Sequence, residues 1–235
     1  MTRFPVAEFN DLSTPFYFYD LALLDRTLAE IARTSRDERF KVHYAMKANA
    51  NPGILRHVQA AGLGVDAVSG GEIQAALDAG FKGSQIVYAG VGKTDAEIIL
   101  ALKNGVGCFN VESEPELEII NELAASLGKT ADIALRINPN IDAHTHEYIT
   151  TGLAENKFGI NLEQMPHLIE KANDLDNVNL IGLHFHIGSQ ITETDPFVML
   201  CETINRLQDE WEAKGVTFRS INVGGGLGID YADPD

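Results

Sequence analysis

The sequence predicts an α/β fold, a (β/α)8 TIM barrel that is incomplete in this chain. Short apolar segments alternate with longer helical segments, which is typical of a parallel sheet with helices packed against it. Four of the apolar segments also alternate between apolar and polar or small residues, as barrel strands do. A chain of 235 residues with 45% hydrophobic and 22% charged side chains can bury one barrel-sized core.

The first predicted elements are a strand over Phe16–Asp20 and a helix from Leu21 to about Arg33. We expect residues 1–35 to form this N-terminal strand and helix, and residues 36–235 to form the barrel. Seven barrel strands, with helices in the intervals, are predicted over Lys41–Met46, Gly64–Ala67, Gln85–Ala89, Gly107–Val111, Asp132–Asn138, Leu180–Ile187 and Phe218–Val223.

Three helix starts are marked by a Ser or Thr that is followed three residues later by Glu. They are SGGE at Ser69, TDAE at Thr94 and SEPE at Ser113. Such pairs can accept the free N–H groups of a first helical turn, so Glu72 is interpreted first as a capping residue. Gly80 and Gly128 are predicted to end helices.

The alternation along four strands predicts which side chains face the barrel interior. Apolar positions face the helices, and the alternate positions become polar or small toward the C-terminal mouth, where barrels bind ligands. The predicted inward set is His43, Ala45 and Lys47, then Ala134, Arg136 and Asn138, then His184, His186 and Gly188, and finally Asn222 and Gly224.

No eighth strand is predicted before Asp235, which would leave the barrel with an open edge. Open edges invite aggregation, so we expect the natural polypeptide to continue and this chain to be a fragment. A compact doubly wound sheet is the alternative fold.

The charge and apolar patterns exclude some partners. A formal net charge of −16 without a basic face argues against nucleic acid. No apolar run approaches the length of a membrane span, and the N-terminus MTRFPVAEFNDLSTP lacks a secretory signal, so we expect a cytoplasmic location and no membrane partner. Cys108 and Cys201 are far apart, which predicts structural roles and no disulfide framework.

Lys47, in the run HYAMKAN, is the candidate catalytic residue. It ends the first barrel strand beside apolar residues, where desolvation favours a neutral, nucleophilic amine that can attack an aldehyde cofactor. The alternative is a strand-end lysine whose ammonium simply extends into water. The neighbouring motifs decide between the two interpretations.

The run GGGLG, Gly224 to Gly228, follows the seventh strand, where barrels commonly bind phosphate through backbone N–H groups. It does not fit the dinucleotide pattern, because Ile229 stands three residues after Gly226. A plain turn is the alternative.

The run HFHIGSQ places His184 and His186 on one face of the sixth strand, followed by Ser189. An imidazole can stack on a pyridine ring, and a hydroxyl can bind phosphate. A zinc site that includes His144 or His146 is the alternative, but no third ligand has a clear strand-end position, so we expect no metal.

Asp66 and Arg136 end the second and fifth strands. They are candidates for orienting the lysine and a cofactor, and a structural ion pair is the alternative for each.

The motifs HYAMKAN, VDAVSGGE, RINPNIDAHTHEYITTGLAENKFGI, LHFHIGSQ and NVGGGLGIDY, with TPFYFYD before them, span nearly the whole chain. In this order and spacing they closely resemble the diaminopimelate decarboxylases. These belong to the alanine-racemase-like, fold-type III class of pyridoxal phosphate (PLP) barrels, with the ornithine, arginine and carboxynorspermidine decarboxylases.

The resemblance implies a pyridoxal 5'-phosphate cofactor held as a Schiff base on Lys47, with His186 stacked on the pyridine ring. It implies a phosphate site formed by Ser189, Gly224, Gly225 and Gly226, and it places Asp66, Glu72 and Arg136 near the cofactor. It further implies decarboxylation of meso-diaminopimelate to L-lysine, the last step of lysine biosynthesis, by a homodimer whose active site is completed across the interface.

In this family a later EPGR motif and a C-terminal β domain supply further active-site residues, and neither is present in this sequence. We therefore expect the 235-residue chain, expressed alone, to be unstable or inactive. Three alternatives stay open: another decarboxylase of the class, a racemase, and a non-catalytic PLP-binding homologue.

Overall fold

The computed structural model describes residues 5–141 and 158–231. Its helices are α1 (Val6–Phe9), α2 (Leu21–Thr34), α3 (Pro52–Ala60), α4 (Gly70–Asp78), α5 (Asp95–Asn104), α6 (Glu114–Ser126), α7 (Met165–Asp174) and α8 (Asp195–Ala213). Its strands are β1 (His43–Ala45), β2 (Gly64–Ala67), β3 (Ile86–Tyr88), β4 (Cys108–Val111), β5 (Ala131–Asn138), β6 (Ile160–Asn161), β7 (Val178–His184) and β8 (Ser220–Asn222). A 3₁₀ turn over Met46–Ala48 directly follows β1.

The strands form a curled parallel sheet in the order β1-β2-β3-β4-β5-β7-β8, with β6 paired to β5 beside this path. Along the path each strand lies next to its predecessor, as in a barrel wall. A doubly wound sheet reverses its strand order partway, so that alternative is wrong. The predicted barrel fold is confirmed, and within the described residues β1 and β8 are not paired with each other.

The two faces of the sheet differ as the alternation predicts. The apolar positions are buried against the helices, and each buried aliphatic side chain contributes about 1.5–3 kcal/mol. Fully buried examples are Val65, Ile86, Ile133, Leu135 and Leu183 from the strands and Leu55, Ile73, Leu117 and Ile120 from the helices. The opposite face carries Asp66, Asn110, Arg136 and His184, whose register places them on the barrel interior.

The predicted helix caps are present. The hydroxyls of Ser69, Thr94 and Ser113 each accept the N–H of the glutamate three residues later. The reciprocal bond, from the glutamate back to the capping residue, forms only at Thr94, where Glu97 accepts the Thr94 N–H. Gly80 and Gly128 have positive φ angles just after their helices, as predicted for helix ends.

The predicted strand over Phe16–Asp20 is wrong. These residues are not in a strand, and Asp20 instead caps α2 by accepting the Leu23 N–H. A strand needs a neighbouring strand to accept its hydrogen bonds, and none of the described residues provides one here. The run of aromatic residues over 16–19 resembled a strand in the sequence, because aromatic residues are common in strands. In the structure Tyr17 is 88% exposed.

The two cysteines differ in environment. Cys108 is buried in β4, where burial raises the pKa of its thiol to about 12, as suits a structural residue. Cys201 is free and exposed on α8, and its structural role stays a prediction. None of the helices in the described ranges is long and apolar enough to cross a membrane.

Strands β7 and β8 approach each other so closely at Gly182 that a larger residue there should destabilise the fold. A Cβ at Gly182 would lie 1.8 Å from the carbonyl oxygen of Ser220, so Gly182→Ala must push β7 and β8 apart. We expect Gly182→Ala to lower the free energy of unfolding by at least about 1–3 kcal/mol in urea titrations of the complete gene product.

The matched control is Gly92→Ala, because a Cβ there meets no atom within 4 Å. It should change the free energy of unfolding by less than about 0.5 kcal/mol. Equal effects of the two substitutions would contradict the described pairing of β7 with β8.

Candidate active site

Lys47 lies at the mouth of the barrel beside an acidic residue of the next strand. It follows β1 directly in the 3₁₀ turn and is exposed, so the predicted desolvation of its amine at the strand end is wrong. Two residues earlier, Ala45 pairs in register with Asp66 of β2. Burial raises the pKa of Asp66 from 3.8 to about 6, against the opposing effect of the nearby Lys47 ammonium. This carboxyl therefore exchanges its proton close to neutral pH.

Three inward-facing polar atoms are buried without a hydrogen-bond partner among the described residues. They are Oδ1 of Asp66, Nδ2 of Asn110 and Nδ1 of His184. A buried polar atom left unpaired costs about 1–3 kcal/mol, so native structures usually satisfy it with water or a ligand. The interior below the mouth is therefore suited to a polar ligand.

Arg136 is held by a buried glutamate that the sequence analysis did not identify. Its Nη1 donates to Oε2 of Glu112 over 2.7 Å, and the Glu112 side chain is only 2% exposed. The other oxygen of Glu112 accepts the Gly90 N–H over 3.1 Å. The predicted ion-pair alternative for Arg136 thus exists, and it also fixes the guanidinium at the mouth, 5.7 Å from the Phe158 ring.

Lys93 is the second residue that the sequence analysis missed. Its side chain is 1% exposed, and its ammonium donates to the carbonyls of Gly90 and Asn110 and to Oε1 of Glu116. Oε2 of Glu116 accepts the N–H of Glu112. Lys93 therefore joins the loop after β3, the end of β4 and the start of α6 in one network beneath Glu112.

The sequence did contain a signal for Glu112. This residue directly follows the predicted strand segment CFNV, much as Asp66 directly follows the strand residues GV. Lys93 carries no such signal. Only the fold of its loop brings the ammonium back against buried carbonyl groups.

His184 and His186 have different environments. His184 is buried, and burial, reinforced by the positive charge of Arg136, lowers the pKa of His184 well below 6.5, so the ring is neutral. His186 is half-buried at the mouth. Among the described residues no three His, Cys, Asp or Glu side chains are grouped so as to hold a metal ion. His144 and His146 of the zinc alternative lie outside the described residues.

The glycine turn after β8 packs directly against the chain segment that carries His186. A Cβ at Gly224 would lie 2.4 Å from the Phe185 carbonyl oxygen and 3.1 Å from Nδ1 of His186. Gly224 has a φ of 74°, and its N–H donates to Oδ1 of Asn222 over 2.8 Å. Only glycine fits this approach, so the turn and His186 are brought together as predicted.

The middle of the glycine turn, at Gly225, borders open space. A Cβ at Gly225 would meet no atom within 4 Å, and the N–H groups of Gly225 and Gly226 have no acceptor among the described residues. Adjacent free N–H groups beside open space form an anion-binding concavity.

Ser189 and Glu72 lie at the edge of this arrangement. Ser189 is exposed, between two residues whose backbone contacts the glycine turn. The Glu72 carboxylate accepts the Val68 N–H over 2.7 Å, one residue before the helix cap at Ser69, so the predicted capping-box bond from Glu72 to Ser69 is wrong. Its charge also raises the pKa of Asp66, which places it near the site.

A family model described as the pyridoxal binding domain of pyridoxal-dependent decarboxylases matches residues 22–235. The chain belongs to the pyridoxal-dependent decarboxylase family. It is 55% identical over 233 residues to a diaminopimelate decarboxylase of Bacteroides thetaiotaomicron, a match that covers 99% of this chain and 60% of that protein. It is 44% identical to the diaminopimelate decarboxylase of Vibrio cholerae over 97% of this chain and 55% of that protein.

A solved structure of a diaminopimelate decarboxylase is similar to this chain as well. Diaminopimelate decarboxylase from Helicobacter pylori, in complex with L-lysine, superposes with a TM-score of 0.87 at 39% identity, over 98% of this chain and 58% of that one. The chain therefore spans somewhat more than half the length of the family members that it matches.

The raised pKa of Asp66 predicts a pH-dependent stability. Its carboxyl titrates at 3.8 without the burial and at about 6 in the fold, so the folded state binds the proton more tightly. Relative to Asp66→Asn, the cofactor-free complete gene product should lose stability as the pH rises from about 4 to about 6, with a slope of at most one proton. Asp66→Asn, which is neutral throughout, should lack this loss.

Urea unfolding at several pH values between 4 and 7 measures the slope. Asp209→Asn, on the exposed side of α8, is the matched control and should keep the wild-type slope. If Asp66→Asn and wild type lose stability in parallel over this interval, Asp66 does not titrate as described.

Proposed function

We propose that the complete gene product is a pyridoxal phosphate-dependent decarboxylase that converts meso-diaminopimelate to L-lysine, with Lys47 as the residue that holds the cofactor. The observation that carries this proposal is the position of Lys47 at the barrel mouth beside Asp66, whose buried Oδ1 has no partner among the described residues. An exposed amine next to a carboxyl that exchanges protons near neutral pH can be deprotonated for attack on an aldehyde.

The residues present fit pyridoxal phosphate both at its aldehyde and at its phosphate. Lys47 offers an amine for the aldehyde, and the open concavity at Gly225 and Gly226 offers two N–H groups for the phosphate. The half-buried His186 lies against Gly224, where its ring can cover one face of a pyridine. A cofactor that spans these groups would be held at its covalent, stacking and anionic contacts together.

When bound, pyridoxal phosphate supplies an electron sink for the carbanion that remains after carbon dioxide leaves an amino acid. The residues of this chain supply orientation and proton control. Asp66, as the carboxylate, can accept a proton from the Lys47 ammonium and return it, because its pKa of about 6 lies near the working pH. His186 and the glycine turn would hold the cofactor, and orienting the substrate relative to its ring would decide which bond breaks.

The buried residues beneath the mouth keep its charges in place. Glu112 orients the Arg136 guanidinium by a bond of 2.7 Å, so this cation cannot swing toward Asp66 and pair with it. Paired on one side and stacked near Phe158 on the other, Arg136 presents a fixed positive charge to the barrel interior. A fixed positive charge stabilises anionic groups of a cofactor or substrate without reorganisation.

The substrate proposal rests on the similar proteins and not on a contact within this chain. Two relatives at 55% and 44% identity are diaminopimelate decarboxylases, and the similar Helicobacter pylori enzyme binds L-lysine. We propose a homodimer in the cytoplasm as well. The motif resemblance supports the dimer.

Covalent trapping tests the role of Lys47. Borohydride reduction of the complete gene product with pyridoxal phosphate, followed by peptide mapping, should label Lys47. Lys47→Ala should abolish the label and lower kcat by at least ~10²-fold, because both the covalent anchor and a proton carrier are lost. Lys103→Ala, at the end of α5, is the control and should retain both. A label on any other lysine would refute the assignment.

Product analysis tests the reaction. The complete gene product should release carbon dioxide and form L-lysine from meso-diaminopimelate, with lower kcat/KM for ornithine and arginine. Preference for ornithine or arginine would indicate another decarboxylase of the class. Inversion of an amino acid without carbon dioxide release would indicate a racemase. Bound cofactor without turnover of any of these substrates would indicate the non-catalytic homologue.

A further inference from the structure

A short ladder of hydrogen bonds joins the segment after β7 to the glycine turn after β8. The Ile191 N–H donates to the Gly226 carbonyl, and the Gly228 N–H donates to the Ile191 carbonyl, each over 2.9 Å. Ile191 and Leu227 thus form an isolated parallel bridge outside the named strands. This bridge holds the turn that we propose as the phosphate site.

Gln190 extends the ladder with its side chain instead of its backbone. Its carboxamide accepts the Ile229 N–H over 3.1 Å and donates to the Ile229 carbonyl over 2.5 Å. Gln190 has a φ of 59°, in the left-handed region that residues with a Cβ rarely adopt. The carboxamide of Gln190 makes the two bonds to Ile229 that a peptide group would make in a regular ladder.

The glycines of the turn show how tightly the ladder is closed. A Cβ at Gly226 would lie 2.0 Å from the Gly188 carbonyl oxygen, and a Cβ at Gly228 would lie 3.0 Å from the backbone carbon of Gln190. Gly226 and Gly228 therefore face the 188–190 segment. Gly225 faces the open side, where a Cβ would meet nothing within 4 Å.

We propose that Gln190 is a positioning residue that fixes the Gly224–Gly228 turn in the conformation that binds the phosphate of the cofactor. This inference rests on the proposed function of the turn. A left-handed residue is held in place only where its surroundings impose it, and the two bonds to Ile229 do so here. A carboxamide also supplies donor and acceptor together without placing a negative charge beside an anion site.

The test uses the complete gene product with Gln190→Gly and Gln190→Glu. Glycine adopts the left-handed backbone without strain, so Gln190→Gly removes the two side-chain bonds while the segment can still fold. Glutamate keeps the acceptor but loses the donor and adds a negative charge. Gln208→Ala, in the middle of α8, is the control.

Three quantities are measured: amide exchange of the peptide 222–231 in cofactor-free protein, the dissociation constant of pyridoxal phosphate, and kcat at saturating cofactor. Gln190→Gly should speed the exchange and weaken the cofactor about tenfold, as expected for the loss of two hydrogen bonds, with kcat changed less than about twofold. Gln190→Glu should weaken the cofactor further, and added salt should reduce that difference. Gln208→Ala should match wild type.

Faster exchange without weaker cofactor binding would make Gln190 merely structural and would overturn the inference, as would unchanged exchange. A wild-type protein that binds no pyridoxal phosphate would contradict the proposed function instead. In that case inorganic phosphate decides the role of Gln190: it should slow exchange of the 222–231 peptide in wild type and not in Gln190→Gly, and equal protection in both would refute the role.

Discussion

The parallel pairing of the strands is the constraint on which the site depends. Because every paired strand runs in the same direction, all their C-terminal ends meet at one rim of the sheet. Lys47, Asp66, Arg136, His186 and Gly224 are spread over nearly 180 positions of sequence, yet each lies within two residues of the C-terminal end of a strand and therefore at that rim. The alternation of side chains along each strand then decides which of them face the interior.

Burial at that rim requires that charges be matched. Glu112 is paired with Arg136, and Glu116 with Lys93, so two cations and two anions share one network. Breaking such a pair leaves an uncompensated buried charge, which costs about 3–5 kcal/mol. Asp66 differs, since its buried Oδ1 has no hydrogen-bond partner among the described residues, and burial raises its pKa to about 6. A carboxyl left in this state beside an exposed lysine is suited to proton exchange and poorly suited to a structural ion pair.

The sequence predicts what depends on local periodicity. The barrel strands, the capping hydroxyls and the inward positions of Arg136 and His184 follow from patterns of two to four residues. Contacts that depend on how loops return to the barrel could not be predicted: the buried ammonium of Lys93 and the carboxamide of Gln190 both bind backbone groups distant in sequence. Phe16–Asp20 shows the opposite failure, because a strand pattern without a neighbouring strand does not form a strand.

The central claim is that Lys47 and the glycine turn hold the two ends of one pyridoxal phosphate molecule. A crystal structure of the complete gene product grown with this cofactor tests it most directly. We predict continuous density from Nζ of Lys47 to the aldehyde carbon, and phosphate oxygens within hydrogen-bond distance of the Gly225 and Gly226 N–H groups. A cofactor bound to another lysine, or a phosphate away from this turn, would contradict the claim.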